Sequence, residues 1–348
     1  MGLFPKDRNL AASPDRVELP VRASDFRVRA EELNVRLDAF LLRFLTWRSR
    51  TSLQDLIKDG YVSVRPAHPE REGSLAVERR VARRLRHGAL VVVRIPEELR
   101  LPAVTADPGE LVVLFEDEDV LAVNKPPLLP VHPSGRHLSG TLIQMIHAVY
   151  GAENEGPVPI RLCHRLDRET SGVVLCGKNR AAHRKLMLQF ERRQIEKEYL
   201  ALVHGTPSKD EGMIDMPLGP ALASQVHLRI AVTTDGADSR TRWRLRESRG
   251  AFSLLSCYPE TGRQHQIRVH LAAIGHPIVG DKLYGEDEET FLRDVAGTLD
   301  EADRERLVLP RHALHNHRIR FRSPRKGEMV EVESPLAADL EQFFDGVD

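Results

Sequence analysis

One carboxylate stands between two arginines in the stretch His164-Arg165-Leu166-Asp167-Arg168-Glu169-Thr170-Ser171-Gly172. Small and turn-forming residues follow it and lead into the apolar run Val173-Val174-Leu175. This order predicts a loop that holds Asp167 at the mouth of a buried strand. A carboxylate placed there can act as a nucleophile or as a general acid or base. In an arbitrary Arg-Leu-Asp-Arg sequence, the same acid would form a simple ion pair.

Further clusters of charged and aromatic residues follow one another along the chain. They are Asn124-Lys125-Pro126 with His132-Pro133; Phe190 with Lys197-Glu198-Tyr199; Gly262-Arg263-Gln264-His265-Gln266-Ile267-Arg268; Gly280-Asp281-Lys282-Leu283-Tyr284-Gly285; and Ala313-Leu314-His315. With the aspartate nonapeptide, and in this order, they resemble the RluA-type pseudouridine synthases, which convert uridine in RNA to its C-glycoside isomer. The resemblance covers the chain from about Leu111 onward and implies the same activity.

The reaction explains why these residue types are needed. It breaks the N-glycosidic bond of a uridine in RNA and reattaches the base through C5, and the C5 proton is lost. No redox step and no energy input are involved, so the resemblance implies no cofactor and no metal. The target base must leave its stack to be reached. The site then needs a flat partner for the base, a reactive group near the sugar, and cations that hold the RNA.

The resemblance also implies catalytic roles for three residues. Asp167 would be the catalytic carboxylate, which either attacks C1′ of the target nucleotide or removes a proton from C2′. Arg268 would pair with Asp167 and keep the acid ionised by lowering its pKa. Tyr199 would support the flipped uracil with its ring and bring its hydroxyl close to the C5 proton.

Four more residues are expected to bind the substrate by the same resemblance. Arg165 would point toward the RNA, where its guanidinium plane could stack on an exposed base. Ile267 would pack against the uracil from below. Asn124 and Lys125 would shape the site and touch the RNA backbone. For the last three, a purely structural role is the alternative.

The elements that position these residues follow a separate N-terminal module. Apolar residues at helical spacing predict one helix over 37–45 and a second over 49–58, with Ser49 as its N-cap. Short β-rich runs follow at 61–64 and 89–95. Two short helices leading through Gly-x-Val-x-Val into a strand resemble the S-four-type RNA-binding domain, named after a ribosomal protein.

Charge is unevenly distributed, although the chain has 51 basic and 51 acidic residues and a formal net charge of zero. Residues 1–100 contain 20 Lys and Arg against 14 Asp and Glu. A basic face for RNA phosphates is predicted in this module. Its candidate members are Arg50, Arg79, Arg80, Arg83 and Arg84. The alternative is an ordinary solvated surface.

We therefore predict an α+β protein in which a small RNA-binding domain precedes the catalytic domain. The predicted segments are a flexible leader (1–25), the RNA-binding domain (26–98), a linker (99–108) and the catalytic domain (109–345). The last is expected to hold a mixed, mostly antiparallel sheet flanked by helices. Helices are predicted over 141–150, 180–194 and 271–274, and β-rich runs over 111–115, 120–123, 173–176, 199–204, 240–245, 251–258 and 262–270.

Composition excludes several other classes of protein. At 348 residues with 41% hydrophobic and 29% charged, the chain is long enough for two domains and ordinary for a globular protein. It has no apolar run of membrane-spanning length and no secretion-signal pattern at its start. Its three cysteines form no Cys-x-x-Cys pair and are expected to be core residues. We expect a cytoplasmic monomer that binds RNA and no membrane.

The sequence leaves three alternative functions to consider. A non-catalytic RNA-binding or ribosome-assembly protein would lack Asp167, Tyr199 or Arg268, and all three are present. A glycosidase would normally pair two acids across the bond, and only Glu169 is close in sequence. Within the family, transfer RNA is the rival substrate. The N-terminal module favours large-subunit ribosomal RNA, because it is more typical of members that act there.

Overall fold

The structure is a computed structural model that describes residues 16–26, 28–45, 50–67, 74–96, 111–133, 140–152, 159–285 and 287–347. The predicted cap Ser49, the linker 99–108 and most of the leader lie outside these ranges. The chain forms two compact units. The first is Met1–Ala106 with His132–Pro157, and the second is Asp107–Val131 with Val158–Asp348. This division differs from the predicted domain bounds of 109–345, because it assigns 132–157 to the first unit.

Antiparallel strands and two amphipathic helices form the core of the first unit. Its elements are β1 (Arg16–Pro20), two 3-10 turns (Ala23–Phe26 and Ala30–Glu32), β2 (Val35–Arg36), α1 (Leu37–Phe44), α2 (Arg50–Lys58), β3 (Val62–Arg65), β4 (Ala76–Val77), β5 (Arg84–Leu85), β6 (Leu90–Arg94) and α3 (Leu142–Ala152). The strand order is β1-β6-β3-β4, with β2 and β5 as a separate pair. The two N-terminal helices and the strands that follow them are confirmed.

Strand β1 corrects the predicted leader. Arg16–Pro20 pairs with β6, and its Val17 and Leu19 are buried while Glu18 is exposed. This alternation has the period of a half-buried strand, and it is too short to stand out in a polar sequence. The folded part of the first unit therefore includes residues that were assigned to a flexible segment.

The second unit contains a ten-stranded sheet with helices and a separate hairpin. Its elements are β7 (Val112–Glu116), β8 (Val120–Lys125), β9 (Arg161–Leu162), β10 (Ser171–Gly177), α4 (Arg180–Glu191), β11 (Glu196–His204), β12 (Glu211–Asp215), β13 (Leu218–Pro220), β14 (Ile230–Val232), β15 (Arg240–Arg249), β16 (Phe252–Pro259), α5 (Gln266–Ala273), α6 (Glu288–Ala296), α7 (Glu301–Leu307), β17 (Leu314–Arg322), β18 (Met329–Glu333) and α8 (Ala338–Asp345). The main path is β12-β15-β16-β11-β17-β10-β8-β7, with β18 beside β17 and β9 beside β10. Among these pairings only β10 with β17 is parallel, so the predicted mixed, mostly antiparallel sheet is confirmed.

A glycine makes the parallel pairing possible. Gly172 is the second residue of β10 and lies beside Asn316 of β17. Its φ of +107° disfavours residues with a side chain. A Cβ atom at this position would lie 2.2 Å from the carbonyl oxygen of Asn316. The Ser-Gly end of the aspartate nonapeptide therefore fixes where the loop that precedes β10 meets the centre of the sheet.

Helix α5 corrects the β-rich run predicted over 262–270. Ile267, Val269 and Leu271 alternate with polar residues and so imitate the period of a strand. In the structure all residues from Gln266 to Leu271 are buried, polar ones included. A helix buried on every side lacks the amphipathic pattern that normally identifies it. No helix in the described ranges has the length and apolar character needed to span a membrane.

Candidate active site

Asp167 lies in the loop that leads into β10, as the sequence predicted. The Thr170 hydroxyl and His312 Nε2 are 2.7 Å apart, and the Ser171 hydroxyl and His315 Nδ1 are 2.9 Å apart. These two buried hydrogen bonds attach the end of the loop to the segment that enters β17. The side chain of Asp167 keeps 23% of its surface exposed, so the carboxylate is held firmly and can still be reached from solvent.

Glu169 is a second anchor of this loop, and its carboxylate already has partners within the fold. Its carboxylate accepts hydrogen bonds from Lys282 Nζ at 2.8 Å and from the backbone N–H of His312 at 3.0 Å. Burial alone would raise the pKa of Glu169, but His312 and Lys282 lower it far below its usual value. The group is therefore ionised and occupied, which is unlike the free acid that a glycosidase would need.

Arg268 contacts Asp167, as the family resemblance implied. Its Nη1 donates to Asp167 Oδ2 at 3.0 Å, and its side chain is only 9% exposed. Burial raises the pKa of Asp167, but the charge of Arg268 outweighs this effect and lowers the pKa below its usual value. Asp167 is therefore ionised at neutral pH. The predicted strand position of Arg268 was wrong, because it lies on α5.

Asp281 holds the other side of Arg268. Its two oxygens accept from Arg268 Nε at 2.7 Å and Nη2 at 2.9 Å, which is a bidentate pair. The backbone N–H groups of Leu283 and Tyr284 donate to the same carboxylate at 3.0 Å each. Burial would raise the pKa of Asp281, but Arg268 lowers it to about 2. The guanidinium therefore has a fixed orientation toward Asp167.

His265 and Tyr284 complete the surroundings of Asp167. His265 Nε2 lies 3.8 Å from Asp167 Oδ2, and its Nδ1 lies 2.8 Å from the Tyr284 hydroxyl. The Arg268 guanidinium lies over the Tyr284 ring, 5.0 Å from its centre. Neither Asp281 nor Tyr284 had a role predicted from the sequence. The available signal was their position after Gly280 in a segment that already matched the family.

Tyr199 lies on β11, with its side chain half-buried. Burial, followed by the negative charge of Asp167, raises the pKa of its hydroxyl well above the usual value, so the phenol is protonated at neutral pH. Lys197 lies two residues earlier and hence on the same face of the strand. Burial lowers the pKa of Lys197 to about 8.

Lys125 has the surroundings of a structural residue, which was the alternative to an RNA contact. It is fully buried at the end of β8, and its Nζ donates to the carbonyls of Pro126, Leu129 and Arg168 at 2.8, 2.9 and 3.0 Å. Burial lowers its pKa to about 7, while the three carbonyls engage all three ammonium protons and favour the charged form. A buried amine with three internal acceptors holds the aspartate loop and does not fit a direct contact with RNA.

The other predicted substrate-binding residues have different environments. Asn124 is half-buried on β8 and is paired in register with Val173. Ile267 is 6% exposed and belongs to the apolar core around β11 and β16, which agrees with the structural alternative. Arg165 is exposed two residues before Asp167, where it is accessible to a large ligand.

The five arginines of the predicted RNA-binding face all lie in the first unit and have internal partners. Arg50 binds the buried carboxylate of Asp38 at 2.8 Å, and Arg80 and Arg83 share Glu78. Arg79 and Arg84 instead donate to backbone carbonyls, those of Lys58 and Asn34. A carbonyl carries no net charge, so these two contacts leave the arginine charge uncompensated.

Several histidines of the second unit make hydrogen bonds within the fold. His164 Nε2 accepts from the backbone N–H of Leu175, His270 lies between Thr241 and the Met216 carbonyl, and His276 bonds to the His204 carbonyl. Within the described ranges, no group of three or more potential ligands could hold a metal ion. The three cysteines are buried thiols.

Comparison with known proteins identifies the family to which the chain belongs. Residues 119–273 match the sequence model of the RNA pseudouridylate synthase family. A Bacillus subtilis protein named "Uncharacterized RNA pseudouridine synthase YlyB" is 34% identical over 325 residues, which cover 93% of this chain and 97% of that protein. The chain belongs to the RluA-type RNA pseudouridine synthases. Its activity as an RNA pseudouridine synthase, expected from the aspartate nonapeptide and its companion motifs, is confirmed.

Two further likenesses agree with this family. A Xanthomonas campestris pv. campestris protein named "Ribosomal large subunit pseudouridine synthase D" is 35% identical over 310 residues, covering 89% of this chain and 88% of that protein. The solved structure of human RNA pseudouridylate synthase domain containing 1 is 26% identical, with a TM-score of 0.53. It covers 69% of this chain and 90% of that one. Sequence similarity and structural similarity thus both relate this chain to RNA pseudouridine synthases.

Proposed function

We propose that this pseudouridine synthase modifies large-subunit ribosomal RNA and uses Asp167 as its catalytic carboxylate. The observation that carries the proposal is the contact between Asp167 and Arg268 across 3.0 Å, in a site that keeps part of the carboxylate exposed. An ionised acid next to a fixed guanidinium is suited to act at the sugar of a nucleotide. The choice between attack at C1′ and proton removal at C2′ stays open, since both need an ionised acid.

Three more of the predicted site residues have a part in this proposal. Arg165, exposed beside Asp167, occupies the place left by the target base after it leaves its stack. Tyr199 supports the flipped uracil with its ring. Because its pKa is raised, its hydroxyl acts as a neutral donor or relay near C5 and not as a phenolate base. Asn124 shapes the edge of the site from β8.

The proposed reaction begins when the bond between C1′ and N1 breaks. Asp167 bonds to C1′ in one route and takes the C2′ proton in the other. The uracil turns within the site, and C5 bonds to C1′ as the carboxylate leaves or returns the proton. The C5 proton is then lost and N1 gains one, so the product is an isomer of the substrate. Arg268 keeps the carboxylate ionised in its resting form.

Ribosomal RNA is preferred over transfer RNA for two reasons. The Xanthomonas campestris relative is named for the large ribosomal subunit, as is a Nitrosomonas europaea protein that is 32% identical over 346 residues. The first unit contains the two short helices and the following strands on which the resemblance to S-four-type RNA-binding domains was based. The contacts of Arg79 and Arg84 with carbonyls leave positive charge there that could meet phosphates. A cytoplasmic location and a monomeric state remain part of the proposal.

Purified enzyme tests this proposal directly. RNA transcribed with tritium at C5 of uridine releases tritium when pseudouridine forms. We expect release from large-subunit ribosomal RNA and little from transfer RNA. Release from transfer RNA alone would overturn the substrate proposal and leave the chemistry intact. Release by an Asp167→Asn enzyme at the wild-type rate would overturn the role of Asp167.

A further inference from the structure

His265 is held in an unusual backbone conformation next to Asp167. It precedes the first turn of α5 with a φ of +55°, in the left-handed region that residues with side chains rarely occupy. Its side chain is 9% exposed, and its Nε2 lies 3.8 Å from Asp167 Oδ2. Such strain is maintained only where the surroundings favour it, and it is concentrated at functional sites.

Tyr284 determines which nitrogen of His265 carries the proton. The Tyr284 oxygen accepts a hydrogen bond from the backbone N–H of Ile230 at 2.9 Å. Within the described residues, the acceptor that remains within reach of its single proton is His265 Nδ1, at 2.8 Å. If Nδ1 accepts this proton, a neutral imidazole carries its own proton on Nε2. That N–H then faces the Asp167 carboxylate, which also favours this tautomer.

The two oxygens of Asp167 thus have different surroundings. Arg268 and His265 both face Oδ2. No hydrogen bond reaches Oδ1 from the described residues. The distance of 3.8 Å from His265 is too long for a hydrogen bond in the free enzyme. Hydrogen bonds of catalytic groups are often long before substrate binds and shorten in the complex.

We propose that Tyr284 fixes His265 as its Nε2–H tautomer, and that this N–H together with Arg268 holds Asp167 Oδ2, so that Oδ1 is the oxygen that acts on the target nucleotide. His265 is then a positioning residue, because it acts through Asp167. The inference rests on the proposed catalytic role of Asp167. It adds to that role an assignment of the reacting oxygen and of two residues that orient it.

The groups that face His265 have opposing effects on its pKa, and burial decides for a neutral ring. They are Asp167 from the aspartate loop, Arg268 from α5, Asp281 and Tyr284 from the segment after it, and His312 from the segment before β17. Burial lowers the pKa of His265 to about 4, against the opposing effect of Asp167. The ring is therefore neutral wherever the enzyme is expected to work, and its tautomer is the variable that Tyr284 controls.

Nitrogen NMR tests the tautomer without any need for turnover. Full-length protein with ¹⁵N-labelled histidine is compared with Tyr284→Phe, and the His265 signals are assigned by their loss in His265→Gln. We expect a protonated Nε2 and an unprotonated Nδ1 in the wild type, and a mixture of tautomers in Tyr284→Phe. A wild-type ring protonated on Nδ1 would overturn the inference.

Kinetics test the link between His265 and Asp167. In His265→Gln an amide N–H can replace Nε2–H, whereas His265→Leu has no donor. We expect kcat of His265→Leu to fall about tenfold with little change in KM for RNA, and His265→Gln to retain most of kcat. Loss of the donor should also raise the pKa of Asp167 and move the acidic limb of the kcat profile to higher pH. Equal kcat and identical acidic limbs in the two variants would overturn the inference.

A matched control separates this effect from general damage. Tyr258 also has a hydroxyl with a buried partner, Glu198 Oε1 at 3.1 Å, but it lies on β16. Tyr258→Phe should keep the wild-type pH profile, and a changed acidic limb there would count against the inference. A fully active Asp167→Asn enzyme would overturn the role of Asp167 itself. An Nδ1–H tautomer in an enzyme that needs Asp167 would overturn this inference alone.

Discussion

At the scale of single residues, the site is built around the carboxylate of Asp167, which the neighbouring guanidinium of Arg268 keeps ionised. Arg268 reaches Asp167 with Nη1 and gives its other donors to Asp281. The guanidinium is therefore shared between Asp167, the proposed catalytic acid, and the structural acid Asp281. Because Asp281 is buried and held by two backbone N–H groups, Arg268 stays oriented when substrate enters.

Asp167→Asn should abolish turnover and leave RNA binding nearly intact. The amide keeps the shape of the side chain but can neither attack C1′ readily nor accept the C2′ proton. We expect kcat to fall by about 10³-fold or more, with RNA affinity within a few-fold of wild type. Tritium release and filter binding on the same RNA measure the two quantities. A large loss of binding would mean that Asp167 is mainly structural.

Arg268 should control the pH at which the enzyme loses activity. In the wild type the pKa of Asp167 lies below its usual value, so activity should persist into mildly acidic solution. Without the guanidinium, burial dominates and the pKa of Asp167 rises, so Arg268→Met should lose activity at a higher pH during acidification. The pH profile of kcat measures this shift.

The control for that experiment is Arg268→Lys. A lysine keeps the charge next to Asp167 but loses the bidentate contact with Asp281. Its acidic limb should stay close to that of wild type while kcat falls. An unshifted acidic limb in Arg268→Met would contradict the electrostatic role of Arg268.

At the scale of elements, the aspartate loop is fixed at the point where β10 meets β17. Gly172→Ala adds a Cβ atom that would lie 2.2 Å from the Asn316 carbonyl oxygen. Alanine also disfavours the φ of +107° that this position adopts. We expect a loss of at least about 2 kcal/mol in the free energy of unfolding. Gly297→Ala is the control, because its φ is +69° and no atom lies within 4 Å.

The control variant Gly297→Ala should lose only about 1 kcal/mol in the free energy of unfolding, since alanine disfavours only the backbone conformation there. Denaturant unfolding of both variants provides the comparison. Equal losses in the two variants would mean that the close approach of β10 to β17 is unimportant for stability.

The sequence predicted elements well where their apolar pattern was simple. Helices α1 and α4 and the strand that follows Asp167, β10, were predicted from their apolar patterns. Helix α5 did not, because burial on every side removes the amphipathic pattern. The Asp167–Arg268 contact came from the family resemblance, since 101 residues separate the two in sequence. Asp281 and Tyr284 were missed because their roles depend on contacts formed only in the folded chain.

At the scale of the whole molecule, the enzyme combines a neutral net charge with a small basic unit. Arg84 donates to the Asn34 carbonyl and keeps its charge uncompensated, while Arg80 is paired with Glu78. If the first unit binds phosphates, Arg84→Gln should reduce the slope of log affinity against log salt by about one. Arg80→Gln should reduce it less. Equal slopes for wild type and Arg84→Gln would remove Arg84 from the RNA interface.

The most direct test of the central claim is site-resolved pseudouridine mapping of total RNA from cells that lack this protein. The same cells are complemented with wild type or with Asp167→Asn. We expect particular uridines of large-subunit ribosomal RNA to lose the modification, and only wild type to restore it. Restoration by Asp167→Asn would contradict the account, because pseudouridine would then form without the carboxylate that the whole site is proposed to hold.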